Sequence, residues 1–265
     1  ENYSHYSPVP GFLELRQAIS EKLKRDNQLD YKPTQICVSN GAKQSIINVL
    51  SAIINDGDEV ILPAPYWVSY DEMVKLVGGT SVFIQTSIDT EFKITAEQLE
   101  KAITPKTKAL LYSSPCNPSG SFYTKEELES IADVIAKYPE ITIISDEIYE
   151  FINYEGEHVS IASFPQVYEQ TAVINGMSKA FAMTGWRIGY SACPDWLAKA
   201  CDKVQGQMTS GANTIAQRAS ITALQMDPSE LQYMITEFHK RRDLVFDLMK
   251  DIKGFKCNLP KSAFY

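Results

Sequence analysis

Short apolar runs alternate with longer stretches of amphipathic spacing through the middle of the chain. Strands are predicted at residues 35–39, 59–62, 108–113, 141–145, 171–175 and 187–192. Helices are predicted at residues 42–54, 125–137, 195–208 and 212–250. Such alternation is typical of βαβ units, so the pattern predicts an α/β fold with a mostly parallel mixed sheet flanked by helices.

Particular residues support these boundaries. In the helix predicted at 42–54, Ile46 and Leu50 fall on one apolar face. Thr124 is placed to cap the helix predicted at 125–137. Pro228 is expected to break the long helical stretch into two.

The pattern changes near residue 240. Residues 1–240 are predicted to form a large domain that includes the start of an interdomain helix. Residues 241–265 are predicted to begin a smaller C-terminal domain. Within them, the stretch 254–265 suggests a strand, a proline-containing turn and the start of a second strand, so we expect the sequence to be a portion of a longer protein.

Composition and charge narrow the class of protein. The chain has 25 basic and 33 acidic residues, a net charge of −8, which argues against a nucleic-acid partner. No apolar run is long enough to span a bilayer, so no membrane association is expected. Five cysteines without a pairing motif indicate a reducing, cytoplasmic location. Three histidines lack metal-ligand spacing, and no metal site is predicted.

Polar residues at the ends of the predicted strands suggest where chemistry occurs, because ligands of parallel sheets bind beyond the carboxyl ends of the strands. The first strand is followed by Gly41, Ala42 and Lys43, where the predicted helix begins. Free N–H groups at a helix N-terminus suit a phosphate. A simple strand-to-helix turn would show the same residues.

Three further strands end in an amide, a carboxylate and an amine. These are Asn117, Asp146 and Lys179. Separately, Asp146 could cap a helix and Lys179 could be a surface lysine. Together they predict one polar site at the rim of the sheet. Glycine-rich nucleotide-binding motifs are absent from the sequence, and Cys116, a possible nucleophile, has no histidine near it in the chain.

Several motifs of the chain resemble those of a known family. Residues 178–190, from Ser-Lys-Ala-Phe to Arg-Ile-Gly-Tyr, resemble the lysine signature of fold-type I, class I aminotransferases that use pyridoxal 5′-phosphate (PLP). The bacterial aspartate aminotransferase branch is the most similar. Other motifs match in the family's order, at residues 5–6 with Gly11, 40–44, 65–67, 117–120 and 146–149. The resemblance implies that residues 1–240 are a PLP-binding large domain.

The resemblance implies roles around the cofactor ring. Lys179 would bind the cofactor aldehyde covalently and later carry a proton. Asp146 would pair with the pyridine nitrogen, which lets the ring withdraw electrons. Tyr149 and Asn117 would hydrogen-bond its phenolic oxygen, and Trp67 would stack on its face. Trp67 and Asn117 would also contact the substrate.

The resemblance also implies a phosphate site. Arg187 would bind the phosphate, since a planar guanidinium matches two of its oxygens. The backbone around Gly41, Ala42 and Lys43 would share that phosphate, and the Ser178 hydroxyl would add to it.

Tyr6 resembles the tyrosine that reaches the phosphate of the partner subunit. The implied assembly is therefore a homodimer with shared active sites.

Two details of the chain bear on the same resemblance. Cis peptide bonds are common in the family at Asn117-Pro118, and one is expected also at Ala64-Pro65. Ser262 stands where glycine usually precedes Ala-Phe-Tyr.

The implied activity is ping-pong transamination between an amino acid, with aspartate preferred, and a 2-oxo acid such as 2-oxoglutarate. Alternatives on the same scaffold are an aromatic, kynurenine or prephenate aminotransferase and a PLP-dependent lyase. An alternative of another class is a non-catalytic PLP-binding regulator domain. In this family the arginine that binds the substrate α-carboxylate lies beyond the position of Tyr265, and an N-terminal segment closes over the substrate.

Overall fold

A single mixed sheet organises the chain in the computed structural model, which describes residues 3–265. Its strands are β1 (Ile36–Ser39), β2 (Glu59–Ala64), β3 (Thr80–Gln85), β4 (Thr107–Ser113), β5 (Thr142–Asp146), β6 (Thr171–Gly176) and β7 (Gly189–Ala192). The seven strands lie in the order β1-β7-β6-β5-β4-β2-β3. Strands β2 to β6 pair in parallel, whereas β7 runs antiparallel to both β6 and β1. The predicted mostly parallel mixed sheet is confirmed.

The strand order brings distant parts of the chain to one edge of the sheet. Because β4, β5 and β6 are parallel neighbours, their carboxyl ends lie at the same edge: Ser113 pairs with Asp146, Asp146 pairs with Ile174, and β6 continues two residues further to Gly176. The antiparallel β7 begins at this same edge, where Gly189 pairs with Gly176, and β1 ends there, where Ser39 pairs with Gly189. We call this the carboxyl edge of the sheet.

Helices cover the sheet. They are α1 (Leu13–Asn27), α2 (Ala42–Ile53), α3 (Ser69–Leu76), α4 (Ala96–Ala102), α5 (Lys125–Ile135), α6 (Asp195–Met208), α7 (Thr214–Gln225) and α8 (Gln232–Met249). As predicted, Thr124 caps α5: its hydroxyl accepts from the Glu127 N–H at 3.3 Å, and the Glu127 carboxylate accepts from the Thr124 N–H at 2.8 Å. Ile46 and Leu50 of α2 are fully buried, as their spacing predicts.

Several elements differ from the prediction. Helices α1, α3 and α4 and strand β3 were not predicted. The strand predicted from residue 187 begins at Gly189, because Arg187 adopts a left-handed backbone with φ of 56°. The strand pair predicted over 254–265 is wrong, since only Ser262 forms a bridge there, to Asn153. The predicted break at Pro228 is confirmed as a 3-10 turn between α7 and α8.

Two glycines let the backbone close tightly at the carboxyl edge. A Cβ on Gly189 would collide with the backbone of Gly41 and Ala42, and one on Gly176 would lie 2.7 Å from the Gly189 Cα. Since no side chain intervenes, β6, β7 and the first turn of α2 are in direct contact. The loop that follows β6 is thereby held beside the N-terminus of α2.

The last described residues are fixed to two loops at the carboxyl edge. Lys261 and Ser262 each donate a backbone N–H to the Gly120 carbonyl at 2.9 Å, and the Ala263 N–H donates to the Ile152 carbonyl at 2.7 Å. The Ser262 hydroxyl also donates to Gly120, at 3.0 Å. Ser262 is fully buried, and this hydrogen bond is a physical reason for serine at that position.

Two further predictions concern the setting of the chain and its division into domains. None of the helices in residues 3–265 combines the length and the apolarity that a membrane crossing needs. All five cysteines are free thiols, and the cytoplasmic location stays a prediction. Helix α8 runs across residue 240, so the proposed division at 240/241 falls inside a helix and also stays a prediction.

Candidate active site

A cavity of about 290 Å³ opens at the carboxyl edge of the sheet. Nine of the eleven predicted site residues line it. They are Ala42, Lys43, Trp67, Asn117, Asp146, Tyr149, Ser178, Lys179 and Arg187. The other two do not: Gly41 lies directly beneath the Arg187 guanidinium, and Tyr6 projects from the surface with 95% of its area exposed.

Asp146 is the buried acid of the site. It ends β5, and only 4% of its surface is exposed. Its Oδ2 accepts a hydrogen bond from the Tyr70 hydroxyl at 2.6 Å, and its Oδ1 accepts from the Ile148 N–H at 3.3 Å. Burial raises the pKa of Asp146 to about 6, although the Tyr70 and Ile148 hydrogen bonds and the Lys179 charge lower it. The carboxylate is therefore mainly ionised at neutral pH.

Lys179 is the amine of the site. It follows β6 by three residues, and its Nζ lies 5.5 Å from the centre of the Tyr149 ring and 5.3 Å from that of Phe264. Burial lowers the pKa of Lys179, and the Arg187 charge lowers it further, whereas Asp146 raises it. A lowered pKa increases the fraction of free amine, the form that attacks carbonyl carbons and accepts protons.

Two tyrosines and an asparagine form another part of the cavity lining. The Tyr149 and Tyr265 hydroxyl oxygens are 3.1 Å apart. Burial and the Tyr265 hydroxyl raise the pKa of Tyr149, while the Asn117 amide lowers it, so the phenol stays protonated at neutral pH. The Asn117-Pro118 and Ala64-Pro65 peptide bonds are cis, as expected, and Ser114-Pro115 is cis as well.

An aromatic pair closes another side. The ring of Trp67 meets the ring of Tyr70 edge-on, with centroids 5.6 Å apart and an angle of 86° between the planes. The Lys43 Nζ lies 4.7 Å from the centre of the Trp67 ring. This arrangement gives the cavity a flat apolar wall beside a cation.

Positive charge concentrates where α2 begins. Arg187 Nη1 donates to the Thr184 carbonyl at 2.8 Å, and Nη2 donates to the Asn40 carbonyl at 3.3 Å. A Cβ on Gly41 would collide with the guanidinium, and Gly41 has φ of 81°, which favours glycine. The first N–H groups of α2, at Ala42 and Lys43, have no carbonyl partner within the helix. The Arg187 guanidinium and the N-terminus of α2 together offer positive charge and N–H donors to an anion.

The lining residues match the chemical groups of PLP. The cations and N–H groups at the start of α2 suit a phosphate, and the buried acid Asp146 suits a protonated pyridine nitrogen. The Lys179 amine, with its lowered pKa, suits an aldehyde, and the flat face of Trp67 suits an aromatic ring. The chemistry of the lining therefore fits this cofactor.

Five lining residues were not among the predicted site residues: Ser113, Ile148, Thr184 and the two tyrosines Tyr70 and Tyr265. Tyr70 contacts Asp146 from α3, a helix that was not predicted, and lies three residues after Trp67. Tyr265 lies in the segment that was predicted as a strand. A tyrosine three residues after a site tryptophan was the available signal for Tyr70, and nothing in the local pattern indicated Tyr265.

A second polar cluster lies outside the cavity. Oxygen or nitrogen atoms of Glu147, Glu150 and His158 lie within 4.8 Å of one another, a spacing that a metal ion could use. Protein groups already occupy these atoms, however. Glu150 pairs with the buried Lys22 ammonium and accepts from the Asn175 amide at 2.7 Å, while Glu147 contacts His158 at 3.0 Å.

Comparison with known proteins identifies the class. The whole chain, residues 1–265, matches the family described as aminotransferase class I and II. The chain therefore belongs to the class I and II aminotransferases.

Individual relatives narrow the comparison. The chain is 47% identical over 269 residues to a bifunctional aspartate aminotransferase and glutamate/aspartate-prephenate aminotransferase of Petunia hybrida, covering 100% of the chain and 56% of the relative. It is 48% identical over 263 residues to a probable aspartate/prephenate aminotransferase of Rhizobium leguminosarum bv. phaseoli, covering 98% and 66%. The crystal structure of the aspartate aminotransferase from Rhizobium meliloti superposes with a TM-score of 0.97 at 40% identity, covering 99% of this chain and 66% of that one. The chain thus spans between about half and two thirds of the length of these relatives.

Proposed function

We propose that the chain is the PLP-binding part of an aminotransferase that moves an amino group between an amino acid and a 2-oxo acid by a ping-pong mechanism. One observation carries the proposal: the Lys179 amine, the Asp146 carboxylate and the Arg187 guanidinium line a single cavity of about 290 Å³. The membership of the family supports it.

The cofactor, when bound, supplies an aldehyde that takes up the amino group and a ring that withdraws electrons from the substrate. Lys179 Nζ would hold the cofactor and, as the free amine, would accept the proton from the substrate Cα. Burial favours this neutral form. Asp146 would place a negative charge next to the ring nitrogen and stabilise a proton there. The Tyr149 hydroxyl and the Asn117 amide would serve as donors to the phenolic oxygen.

The other lining residues hold the cofactor in place. Trp67 covers the ring face, and stacking of this kind is worth about 1 kcal/mol beyond the burial of area. Arg187, Ser178 and the N–H groups of Ala42 and Lys43 bind the phosphate. Gly41 leaves room for the guanidinium beside them.

Replacing Arg187 by alanine is expected to weaken PLP binding about tenfold to a hundredfold, since a charge-assisted hydrogen bond contributes roughly 1.5–3 kcal/mol. Arg187→Lys keeps the charge but loses the planar fork, so its effect should be smaller. The dissociation constant of PLP, measured by equilibrium dialysis, checks both. The control is Arg241→Ala, an exposed arginine of α8 that does not line the cavity. Equal affinities for the wild type and Arg187→Ala would refute the assignment.

The proposed substrates are taken from the names of the relatives and not from the geometry of the cavity. Aspartate is the proposed amino donor and 2-oxoglutarate the proposed acceptor, with prephenate as a second acceptor, since the relatives are named for aspartate and prephenate. A panel of aspartate, glutamate, aromatic amino acids and kynurenine against 2-oxoglutarate, oxaloacetate and prephenate separates these reactions from one another and from a lyase.

The proposed assembly is a homodimer with shared active sites. Tyr6 supports it, because its phenol projects from the surface with 95% exposure and lies outside the cavity of its own chain. In a dimer this hydroxyl would join the phosphate site of the partner.

Reduction with borohydride tests the proposed function. The whole protein with PLP should show a visible absorption band that borohydride removes, leaving the mass of the reduced cofactor on the peptide that contains Lys179. If aspartate is added before borohydride, the peptide that contains Lys179 should no longer carry the mass of the reduced cofactor. A protein that stays colourless with added PLP contradicts the proposal. A labelled protein that never turns over an amino acid favours the regulator alternative.

A further inference from the structure

Tyr70 links the aromatic wall of the cavity to its buried acid. It is the second residue of α3, and only 1% of its surface is exposed. Its ring packs edge-on against Trp67, and its hydroxyl donates to Asp146 Oδ2 at 2.6 Å. The tyrosine therefore touches two of the residues proposed to contact the cofactor ring.

We propose that Tyr70 is a positioning residue for transamination: its hydroxyl holds the Asp146 carboxylate in one orientation and in its charged form. The inference rests on the proposed function, because it assumes that Asp146 pairs with the cofactor nitrogen.

Orientation is the first part of the inference. Two protein donors reach the Asp146 carboxylate, one to each oxygen: the Tyr70 hydroxyl at 2.6 Å and the Ile148 N–H at 3.3 Å. Because these donors come from α3 and from the chain after β5, they fix the rotation of the carboxyl group. Without the hydroxyl, only the longer and weaker contact to Ile148 remains.

Charge is the second part. Burial raises the pKa of Asp146 to about 6, and among the influences that lower it the Tyr70 hydrogen bond is the largest. Of the charged groups that face Asp146, Glu147 raises its pKa and Lys179 lowers it. The pKa of Tyr70 itself lies well above its usual range, because of burial and the adjacent carboxylate. The phenol consequently stays protonated and remains a donor.

Tyr70→Phe removes the hydroxyl and keeps the ring against Trp67. The pKa of Asp146 should then rise by about one unit or more, since a hydrogen bond to a charged group contributes roughly 1.5–3 kcal/mol. We expect kcat to fall about twofold to fifteenfold at pH 7, in proportion to the loss of the ionised form, and to recover as the pH rises and Asp146 ionises again. In a plot of kcat against pH, the acid limb should move to higher pH by the same number of units as the pKa of Asp146 rises, while KM changes little.

A second measurement does not depend on activity. In the cofactor-free protein, the infrared stretching band of the protonated Asp146 carboxyl should disappear with a midpoint near pH 6 in the wild type and at higher pH in Tyr70→Phe. The band is assigned by its absence from Asp146→Asn. The matched control is Tyr112→Phe, which removes another buried phenol, one that accepts from Ser145 at 3.2 Å and does not line the cavity.

The outcomes are distinct. A Tyr70→Phe protein in which kcat falls equally at every pH and the carboxyl midpoint does not move has lost packing only, and the inference is wrong. The same holds if Tyr112→Phe shifts the profile as much. If the wild type is active but neither the pH profile of kcat nor the carboxyl midpoint shifts in Tyr70→Phe, this inference alone is wrong. If the wild type neither binds PLP nor transaminates, the proposed function is wrong as well.

Discussion

Replacing Lys179 by alanine should lower kcat for transamination by at least about a thousandfold, the largest effect expected from any single residue of the site. If the proposed function holds, the variant would lose both the covalent attachment of the cofactor and the amine that moves the substrate proton, and general base catalysis alone is worth roughly a hundredfold to ten-thousandfold. Cofactor binding should persist, because Arg187 and the N-terminus of α2, the proposed phosphate site, are unchanged in this variant.

Single-turnover kinetics with aspartate and PLP measure this loss. A small added amine, able to enter the space that the side chain leaves, should restore part of the rate in proportion to its basicity. The control is Lys199→Ala, an exposed lysine of α6. A variant that keeps a tenth of the wild-type rate would remove Lys179 from the mechanism.

Asp146→Asn should change activity and stability in opposite directions. The pKa of Asp146 is about 6 in the folded protein against a usual 3.8. The raised pKa means that the folded state favours the protonated form, so this residue's contribution to stability is complete below about pH 4 and is lost as the pH rises through 6. At pH 7 the buried charge costs up to about 3 kcal/mol. An amide carries no such charge, and the cofactor-free variant should be more stable at pH 7 by up to that amount.

Activity should fall about a thousandfold in the same variant, since a neutral amide cannot stabilise a positive charge on the ring nitrogen. Urea unfolding of the cofactor-free protein between pH 4 and 8, together with kcat, checks both effects. Asp133→Asn, at an exposed position of α5, should alter neither. Equal stability of Asp146→Asn and wild type across that pH range would show that burial does not raise the pKa of this carboxyl.

The predicted elements were those that carry strong local signals. Thr124 with Glu127 marks the start of α5, and the uninterrupted apolar runs of β4 to β6 reflect strands covered on both faces. Helix α3, by contrast, has eight residues, and β3 lies at the edge of the sheet with most of its side chains partly exposed. Short or half-exposed elements owe their stability to tertiary contacts, which local spacing does not reveal.

The same distinction applies to the site. Asn117, Asp146 and Lys179 could be placed together because parallel strands align their carboxyl ends, a rule that needs only the order of elements. The contact of Tyr70 with Asp146 spans 76 positions, and that of Tyr265 with Tyr149 spans 116. Such pairs depend on how α3 and the final segment pack, and packing is decided by the whole fold.

The cavity is lined by residues as far apart in the chain as Ala42 and Tyr265, so an unfolded polypeptide offers the cofactor no assembled site. Binding and folding are then thermodynamically linked. A free concentration of PLP one hundred times its dissociation constant would add about 2.7 kcal/mol to the free energy of unfolding. A low free concentration of PLP would therefore enlarge the fraction of unfolded chains that proteases can attack.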